Sequence, residues 1–578
     1  MLGRGADAVW GGTPPRPDPA LPQTSPRSLT LRARGLLARL WRRALWTTGT
    51  TAGGAMAHLL EGHFDLAYYR ARNPDVTACG ADPLAHFLVY GWREGRDPAP
   101  DFSLADYLEL NPDVAASGVN PFVHYVQTGR AEGRIAKRRL GWRHDVLARI
   151  IPMADRLAPP PGPRPAAAPA AALAQALSVS RSGLAELHLS FSHDDYAANL
   201  GGVQLGLKRE AQALAERGVD HLHLFPAEPG PMMRATPGAL LGALWNGTLI
   251  GVFAPEALAA TLGAALAGKP PVGRSLALHS LLGHCSLDVL QILKAADLTA
   301  GLFWLHDFAS LCAGFHLMRN DVADCAAPPP DSAGCAICLY GPYRGRQVAE
   351  HRRLFEALAL TVVAPSQSAL DLWLAASDLP HARAIVQPLA RLGAAHPAAE
   401  PAPGPLRVAF LGLPAAHKGW PVFRDLALRF RDDPRYAFVQ LGRRGVQDVE
   451  LEFQEITVSA ERPQAMRDAV EAQAIDVALI WPLCRETFSF TAYEALAAGA
   501  AILTHADTGN IAALAAEPGA GRVLSGETEL AALFAGGEVL KLSRAERRPQ
   551  PRELIYGALS ADLRSPAPKR KRTRSVAQ

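Results

Sequence analysis

The sequence predicts an α/β fold built from two Rossmann-like, doubly wound domains, preceded by a small all-α repeat module. Three observations carry this expectation. Leu406 to Leu413 (LRVAFLGL) and Ile475 to Pro482 (IDVALIWP) are short, nearly continuous apolar runs of the kind found in strands buried on both faces of a parallel sheet. Residues 485 to 510 (RETFSFTAYEALAAGAAILTHADTGN) read as loop, helix, strand, loop, with Ala495 to Ala498 favouring helix, Gly499 closing it and Ala500 to Leu503 forming a short strand. Far upstream, the stretch beginning at Phe64 returns at Phe102 with an offset of 38 residues.

The leader, residues 1–60, is basic. Residues 1–55 carry eight Arg and two Asp, and residues 564–578 add six basic residues and no acid. Removing both ends from the total of +4 leaves −8 on residues 56–563, so the basic character belongs to the termini. Within Ser28 to Trp46, Leu29, Ala33, Leu36, Leu37, Leu40, Trp41 and Ala44 fall at helical spacing opposite Arg32, Arg39, Arg42 and Arg43. Two readings stay open: a basic amphipathic helix on an anionic membrane surface, and a disordered Pro-rich leader. The tail, residues 546–578, ends in the basic run Lys569 to Arg574, without the interleaved aromatics or module that nucleic acid binding calls for.

Residues 61–137 hold the two 38-residue repeats. In each, Asp65 or Ser103 caps a first helix, Asn73-Pro74 or Asn111-Pro112 turns the chain, and Asp82-Pro83 or Asn120-Pro121 starts a further helix ending at Gly91 or Gly129. Tyr69, Tyr107, Phe87 and Tyr125 are expected core aromatics. His86 and His124 are expected to pack in the core, since one histidine per repeat lacks partner ligands for a metal.

Residues 138–184 are expected to be a linker, because Ala158 to Ala176 is rich in Pro and Ala and offers no core. The first α/β domain, residues 185–395, begins with a strand at Leu187 to Phe191, a loop ending in Gly201-Gly202 and a helix from Val203 to Arg217. Thr236 to Ala254 is apolar, but Asn246-Gly247 is a turn signal, giving helix, turn and strand instead of a membrane span. Two strands then end in histidines, at Leu276 to His279 and at Gly301 to Leu305 followed by His306-Asp307. Cys312, Cys325, Cys335 and Cys338 follow with a closing C-x-x-C, which suggests a structural zinc that staples a Pro-rich loop; an iron-sulfur cluster, a redox pair and unrelated buried thiols are the alternatives. With seven cysteines and no cleavable signal peptide, a reducing cytoplasm is the expected compartment, at the inner face of the membrane if the leader binds there.

The second domain, residues 396–545, has strands at Leu406 to Leu413, Ala437 to Leu441 and Ile475 to Pro482. After the first of these come His417-Lys418-Gly419, and after the last come Glu486 and Glu494, eight positions apart, then Thr508-Gly509-Asn510. A cation and a Gly-containing loop at the carboxyl ends of parallel strands suit a phosphate, and two carboxylates suit hydroxyls.

The Glu-x7-Glu spacing, the Ala-Ala-Gly after it and the Gly loop together resemble the family 4 retaining glycosyltransferases, which have the two-domain GT-B fold. The run His306-Asp307-Phe308, Cys312 and Arg319-Asn320-Asp321 resembles a subset of the same family. The repeats resemble helical modules attached to bacterial polysaccharide glycosyltransferases. The resemblance implies that Lys418 binds the donor diphosphate, that Glu486 contacts the donor sugar and Glu494 the ribose, that Gly201 and Gly202 line the cleft, and that His306 contacts the transferred sugar with Asp307 orienting it. Thr508, Gly509 and Asn510 complete the donor loop. Relatives carry an arginine shortly before the lysine where this chain has Gly412-Leu413-Pro414-Ala415, so Arg443 is the expected substitute. The implied partners are a nucleotide diphosphate sugar and a saccharide or lipid-linked acceptor in surface polysaccharide synthesis. No Asp-x-Asp motif stands near the donor residues, so no metal cofactor is expected for transfer. The competing class is a non-catalytic saccharide-binding or scaffold protein with a degenerate transferase domain. A phosphorylase is a further rival, but it would need a pyridoxal phosphate lysine site.

Overall fold

The computed structural model describes residues 51–137, 141–159, 162–271, 273–397, 403–445, 449–459 and 462–564. The amphipathic helix expected at Ser28 to Trp46 and the basic run Lys569 to Arg574 lie outside these residues.

The repeat module is all-α. Each copy has two short helices, Leu66–Arg72 and Pro74–Ala78 in the first and Leu104–Leu110 and Pro112–Ser117 in the second, then a third element that is α-helical over Pro83–His86 or Pro121–His124 and widens into π-helix over Phe87–Gly91 or Tyr125–Gly129. Asp65 accepts from Tyr68 N and Ser103 from Asp106 N, as caps. The same polar lattice is built twice: Tyr69 and His86 are 3.0 Å apart and Tyr107 and His124 2.9 Å, while Asn73 and Asn111 each donate to the tyrosine carbonyl at 2.8 Å. Both histidines are therefore tied to core tyrosines. Phe87 of one repeat meets Phe122 of the next edge-on at 5.9 Å, which joins the two cores.

The first α/β domain contains β1 (Leu187–Phe191), β2 (Asp220–Pro226), β3 (Leu241–Trp245), β4 (Thr248–Phe253), β5 (Arg274–Leu278), β6 (Ala300–Trp304), the small hairpin β7 (Met318–Arg319) and β8 (Ala323–Asp324), then β9 (Ala359–Ala364) and β10 (Arg383–Val386). Eight of them form a sheet in the order β4-β3-β2-β1-β5-β6-β9-β10, parallel except for β3, which runs antiparallel to both β2 and β4 near one edge. In β1, Leu187, Leu189 and Phe191 enter the apolar core, and His188 and Ser190, pointing the other way, are just as buried.

Beyond β11 (Ala390–Ala395) lies the second domain: β12 (Leu406–Leu411), β13 (Tyr436–Gly442), β14 (Glu452–Glu455), β15 (Val477–Leu479), β16 (Ala501–His505) and β17 (Gly521–Leu524). Its sheet runs β14-β13-β12-β15-β16-β17, parallel throughout. That order, third strand to first and then fourth to sixth, defines a doubly wound dinucleotide-type sheet with its switch point between β12 and β15. Three helices matter below: α1 (Gly202–Glu216), α2 (Phe490–Ala497) and α3 (Ser560–Leu563). The expected class, a GT-B type pair of Rossmann-like domains with a small all-α repeat module, is observed.

Three local expectations are corrected. Leu241–Trp245 is a strand and not a helix, because Asn246 (φ 53°) and Gly247 (φ 89°) form the tight turn that pairs it with β4. The expected linker contains the helices Gly141–Ala148, Met153–Leu157 and Ala170–Ser178, the last burying Leu173 and Leu177 in the first domain's core. The expected tail is folded as far as Arg564: β18 (Arg552–Tyr556) pairs antiparallel with β11, and α3 returns to the first domain, where Trp304 Nε1 donates to Ser560 Oγ at 2.9 Å and Arg564 Nη2 to Glu186 Oε2 at 2.7 Å.

Candidate active site

A switch point opens a crevice at the carboxyl ends of the two strands that flank it. The loop after β12 ends in a 3-10 turn, Ala416–Lys418, and Gly419 follows in the left-handed region (φ 84°). A Cβ on Gly419 would lie 1.9 Å from the Trp481 carbonyl, so glycine is what lets this loop close on the one leaving β15. Leu483 N donates to His417 O at 2.8 Å. This contact sets Lys418 Nζ 2.6 Å from Glu486 Oε1. The Gly509 loop after β16 joins them: Asn510 N donates to Glu486 O at 3.2 Å, and Gly509 (φ 64°) would place a Cβ 2.6 Å from that same oxygen. Lys418, Glu486, Gly509 and Asn510 are thus brought together by loops from three neighbouring strands.

Other expected donor residues sit differently. Thr508 is fully buried, its Oγ1 donating to His505 O and accepting from Thr504 Oγ1, so its hydroxyl serves the loop itself. Glu494, on α2, is 5% exposed, and burial, with Asp468 adding repulsion, pushes its carboxyl up to about 8. It is a neutral acid inside the domain below that pH, a different group from the charged ribose acceptor expected. Arg443 stands exposed just past β13, its carbonyl accepting from Gln440 Nε2. The arginine tied into the crevice loops is Arg485, whose Nη2 donates to Asp507 Oδ1 at 2.8 Å and whose Nε donates to Asp324 Oδ2 of the first domain at 3.0 Å.

The first domain faces this crevice with the loops after β1, β5, β6 and β9. Gly202 opens α1 with space for a Cβ only to 3.5 Å from Phe490, the first residue of α2. Gly201 lies in extended backbone beside Gln204. Thr487, next to Glu486, donates through Oγ1 to His306 O at 2.9 Å, and its carbonyl accepts from Ser366 Oγ at 2.7 Å. His306 is therefore one residue removed from the Lys418–Glu486 pair, across the domain boundary. Its ring stacks on Trp304 and His279 with interplanar angles of 4° and 13°. Burial holds it well below its ordinary value, hence neutral.

The orienting partner of His306 is His279, not Asp307. His279 Nδ1 lies 3.0 Å from His306 Nε2, and His279 Nε2 lies 3.3 Å from Glu210 Oε1. Because a carboxylate only accepts, this order assigns a proton to His279 Nε2 and another to His306 Nε2. Asp307 instead accepts from Ala309 N and Ser280 Oγ, and burial raises its carboxyl.

The four clustered cysteines line one cavity of about 290 Å³ together with Tyr340 and Arg344. No three of their sulfurs come within 4.8 Å of one another among the described residues, whereas thiolates around one zinc stand about 3.8 Å apart at a bond length of about 2.3 Å. The expected tetrathiolate is not assembled. The loop is stapled by hydrogen bonds: Arg156 Nη2 and Tyr340 OH both donate to Asp321, and Arg344 donates to Pro328 O and Cys335 Sγ. Burial pushes the Cys312 thiol up to about 11, its protonated form.

Sequence reasoning missed Arg485, Thr487, Ser366 and Glu210. Arg485 and Thr487 flank Glu486 and could have been found as neighbours of the motif. Glu210 carries no sequence signal, being one acid among several polar residues of a helix.

No family model and no curated protein matches the chain. Among solved structures, it is similar to sucrose-phosphate synthase from Thermosynechococcus elongatus, with 14% identity, 63% of this chain and 93% of that one covered, and a TM-score of 0.39. It is similar to the pneumococcal O-GlcNAc transferase GtfA in complex with UDP and GlcNAc, with 9% identity, coverage of 63% and 94%, and a TM-score of 0.40. Anabaena HepE in complex with UDP-glucose gives 13% identity, coverage of 62% and 92%, and a TM-score of 0.35.

Proposed function

We propose that the chain is a retaining glycosyltransferase of the family 4 kind, moving a sugar from a nucleotide diphosphate sugar to a saccharide or lipid-linked saccharide in bacterial surface polysaccharide synthesis. The observation that carries this reading is the meeting of Lys418 and Glu486 at the switch point of the second sheet, with His306 of the first domain one residue away. Lys418 and the amides of the Gly509 loop stabilise the departing diphosphate, since fixed donors in a dry cleft cost no reorganisation as charge develops. Glu486, freed from Lys418 by the phosphate, accepts from sugar hydroxyls. His306, held by His279, positions the transferred sugar between the domains. The repeat module docks the enzyme to its saccharide or assembly partners.

The test is a screen of nucleotide sugars for hydrolysis and transfer by the full chain. Wild type releases nucleoside diphosphate and forms a product with the donor's anomeric configuration, and Lys418→Ala and Glu486→Ala lower both steeply. The buried, neutral Glu494 favours a second reading, a saccharide-binding or scaffold protein. Binding of a nucleoside diphosphate with no turnover on any acceptor assigns the chain to that reading.

A further inference from the structure

Beneath α1, the polar face of the first sheet holds more ligating atoms than the cleft uses. β1 and β2 run in parallel register with His188 opposite His221, so both rings project to the same side, where α1 contributes Glu210. The three residues are 0%, 1% and 1% exposed. One ligating atom from each lies within 4.8 Å of the other two. His188 Nε2 is 3.3 Å from Glu210 Oε1, and two ligands at about 2.0 to 2.1 Å from one tetrahedral ion stand about 3.3 Å apart.

The hydrogen bonding separates a metal site from ordinary packing. A packed histidine in a core has its ring nitrogens satisfied, because an orphaned buried polar atom costs about 1–3 kcal/mol. Here His221 Nδ1 has no hydrogen-bond partner, and His188 Nε2 faces only Glu210 Oε1, at 3.3 Å. Their opposite nitrogens are both held by hydroxyls at 2.7 Å, His188 Nδ1 by Ser275 and His221 Nε2 by Ser190. Glu210 Oε2 accepts from Ser560 N at 3.0 Å. For each imidazole one nitrogen is fixed by an outer partner and the other left open, which is how proteins orient metal ligands, while Glu210 Oε1 also accepts from His279 Nε2 at 3.3 Å.

Charge points the same way. Among the described residues the ion-pair partners of Glu210 are histidines, with no lysine or arginine.

We propose that His188, His221 and Glu210 hold a buried structural zinc ion, taken up as the first domain folds and joining β1, β2 and α1. Two imidazoles with one carboxylate suit zinc, and their burial keeps a bound ion from exchanging with solvent. The readout of this proposal is metal content and not transfer activity, although Glu210 also holds His279, which positions His306.

The experiment is metal analysis of the full chain expressed with zinc in the medium and purified through gel filtration. The expected result is about one equivalent of zinc, released to a chromogenic chelator only on unfolding. The Cys335→Ser/Cys338→Ser double variant keeps that metal, and His188→Ala and His221→Ala lose it. Should those two variants not fold, refolding of wild type with cobalt gives the readout, tetrahedral d–d absorption without the sulfur-to-cobalt charge-transfer band that cysteine ligation produces. Folded wild type with less than about a tenth of an equivalent, or metal lost in the cysteine variant alone, or cobalt spectra dominated by thiolate charge transfer, overturns the proposal.

Discussion

The Lys418 ammonium stands 2.6 Å from the Glu486 carboxylate, joining the loops that leave β12 and β15. Lys418 is 47% exposed in this pair, so water screens the attraction and its worth to folding is about 0–1 kcal/mol. Its worth to a phosphate leaving group is larger. Lys418→Ala is expected to leave the melting temperature nearly unchanged while transfer falls by about 10²–10³-fold, the loss typical of a fixed charge-stabilising donor. Steady-state rates beside thermal unfolding check this; equal transfer rates discard the assignment.

His306 is half-buried, stacks on Trp304 and His279, and is held by its surroundings well below its ordinary value. His306→Ala is expected to lower kcat by about 10–10²-fold with a small change in folding. Because burial holds its ring well below the ordinary histidine value, the wild-type pH profile has no inflection from this residue where an ordinary histidine titrates. An inflection abolished by His306→Gln runs against the assignment.

Glu494 titrates at about 8 in the folded chain against 4.5 for an unperturbed carboxyl. The folded state therefore binds the extra proton between these values. The stabilisation tied to that proton is complete below 4.5 and is lost as pH rises through about 8, at up to about 1.4 kcal/mol per pH unit. Glu494→Gln is expected to flatten the decline in melting temperature between pH 5 and 8. Parallel declines in the two proteins contradict the shifted carboxyl.

Asp324 is half-buried beside Arg485, and its other oxygen, Oδ1, is buried without a partner. Arg485→Ala leaves that carboxylate unpaired and is expected to cost about 1–3 kcal/mol. Adding Asp324→Asn recovers part of the loss. Chemical unfolding of the two single variants and the double variant gives the coupling directly, and strict additivity rules the tie out.

In the repeat module, a Cβ on Gly129 would lie 2.1 Å from Tyr107 OH. Gly129→Ala is expected to destabilise the module by about 1–3 kcal/mol through overpacking. Tyr107→Phe removes the clashing oxygen at the cost of one hydrogen bond, about 0.5–1.5 kcal/mol, so the double variant melts above Gly129→Ala alone. Far-ultraviolet circular dichroism of the full chain follows the effect, and a double variant no more stable than Gly129→Ala refutes the clash.

What could be read in the sequence was what local physics decides. Leu187–Phe191 and Tyr436–Gly442 announce themselves as strands because they are short, apolar and bounded by turns. Leu241–Trp245 is equally apolar, but a run that short fits a helix or a strand, and only its pairing with β4 decides. Lys418, Glu486 and Gly509 were legible because each follows a recognisable strand. Glu494 was placed correctly on its helix, yet its neutrality depends on which face of α2 is buried. Pairing between distant segments was not legible. Nothing near Ser560 says that it caps Glu210, 350 positions earlier, and nothing near His188 names His221, since parallel register is fixed by the whole sheet.

The antiparallel pairing of β11 with β18 has a mechanical consequence. The chain enters the second domain along one of these strands and leaves it along the other, so two covalent passes share one narrow ribbon. A body tethered twice along a line swings about that line but resists twisting or sliding. Any breathing of the cleft is thus guided like a door on two pins, with Thr487 and His306 meeting again in the same register after every swing. Cutting one pass, between Arg547 and Arg552, would leave a single tether and spoil that repeatability while leaving every cleft residue in place.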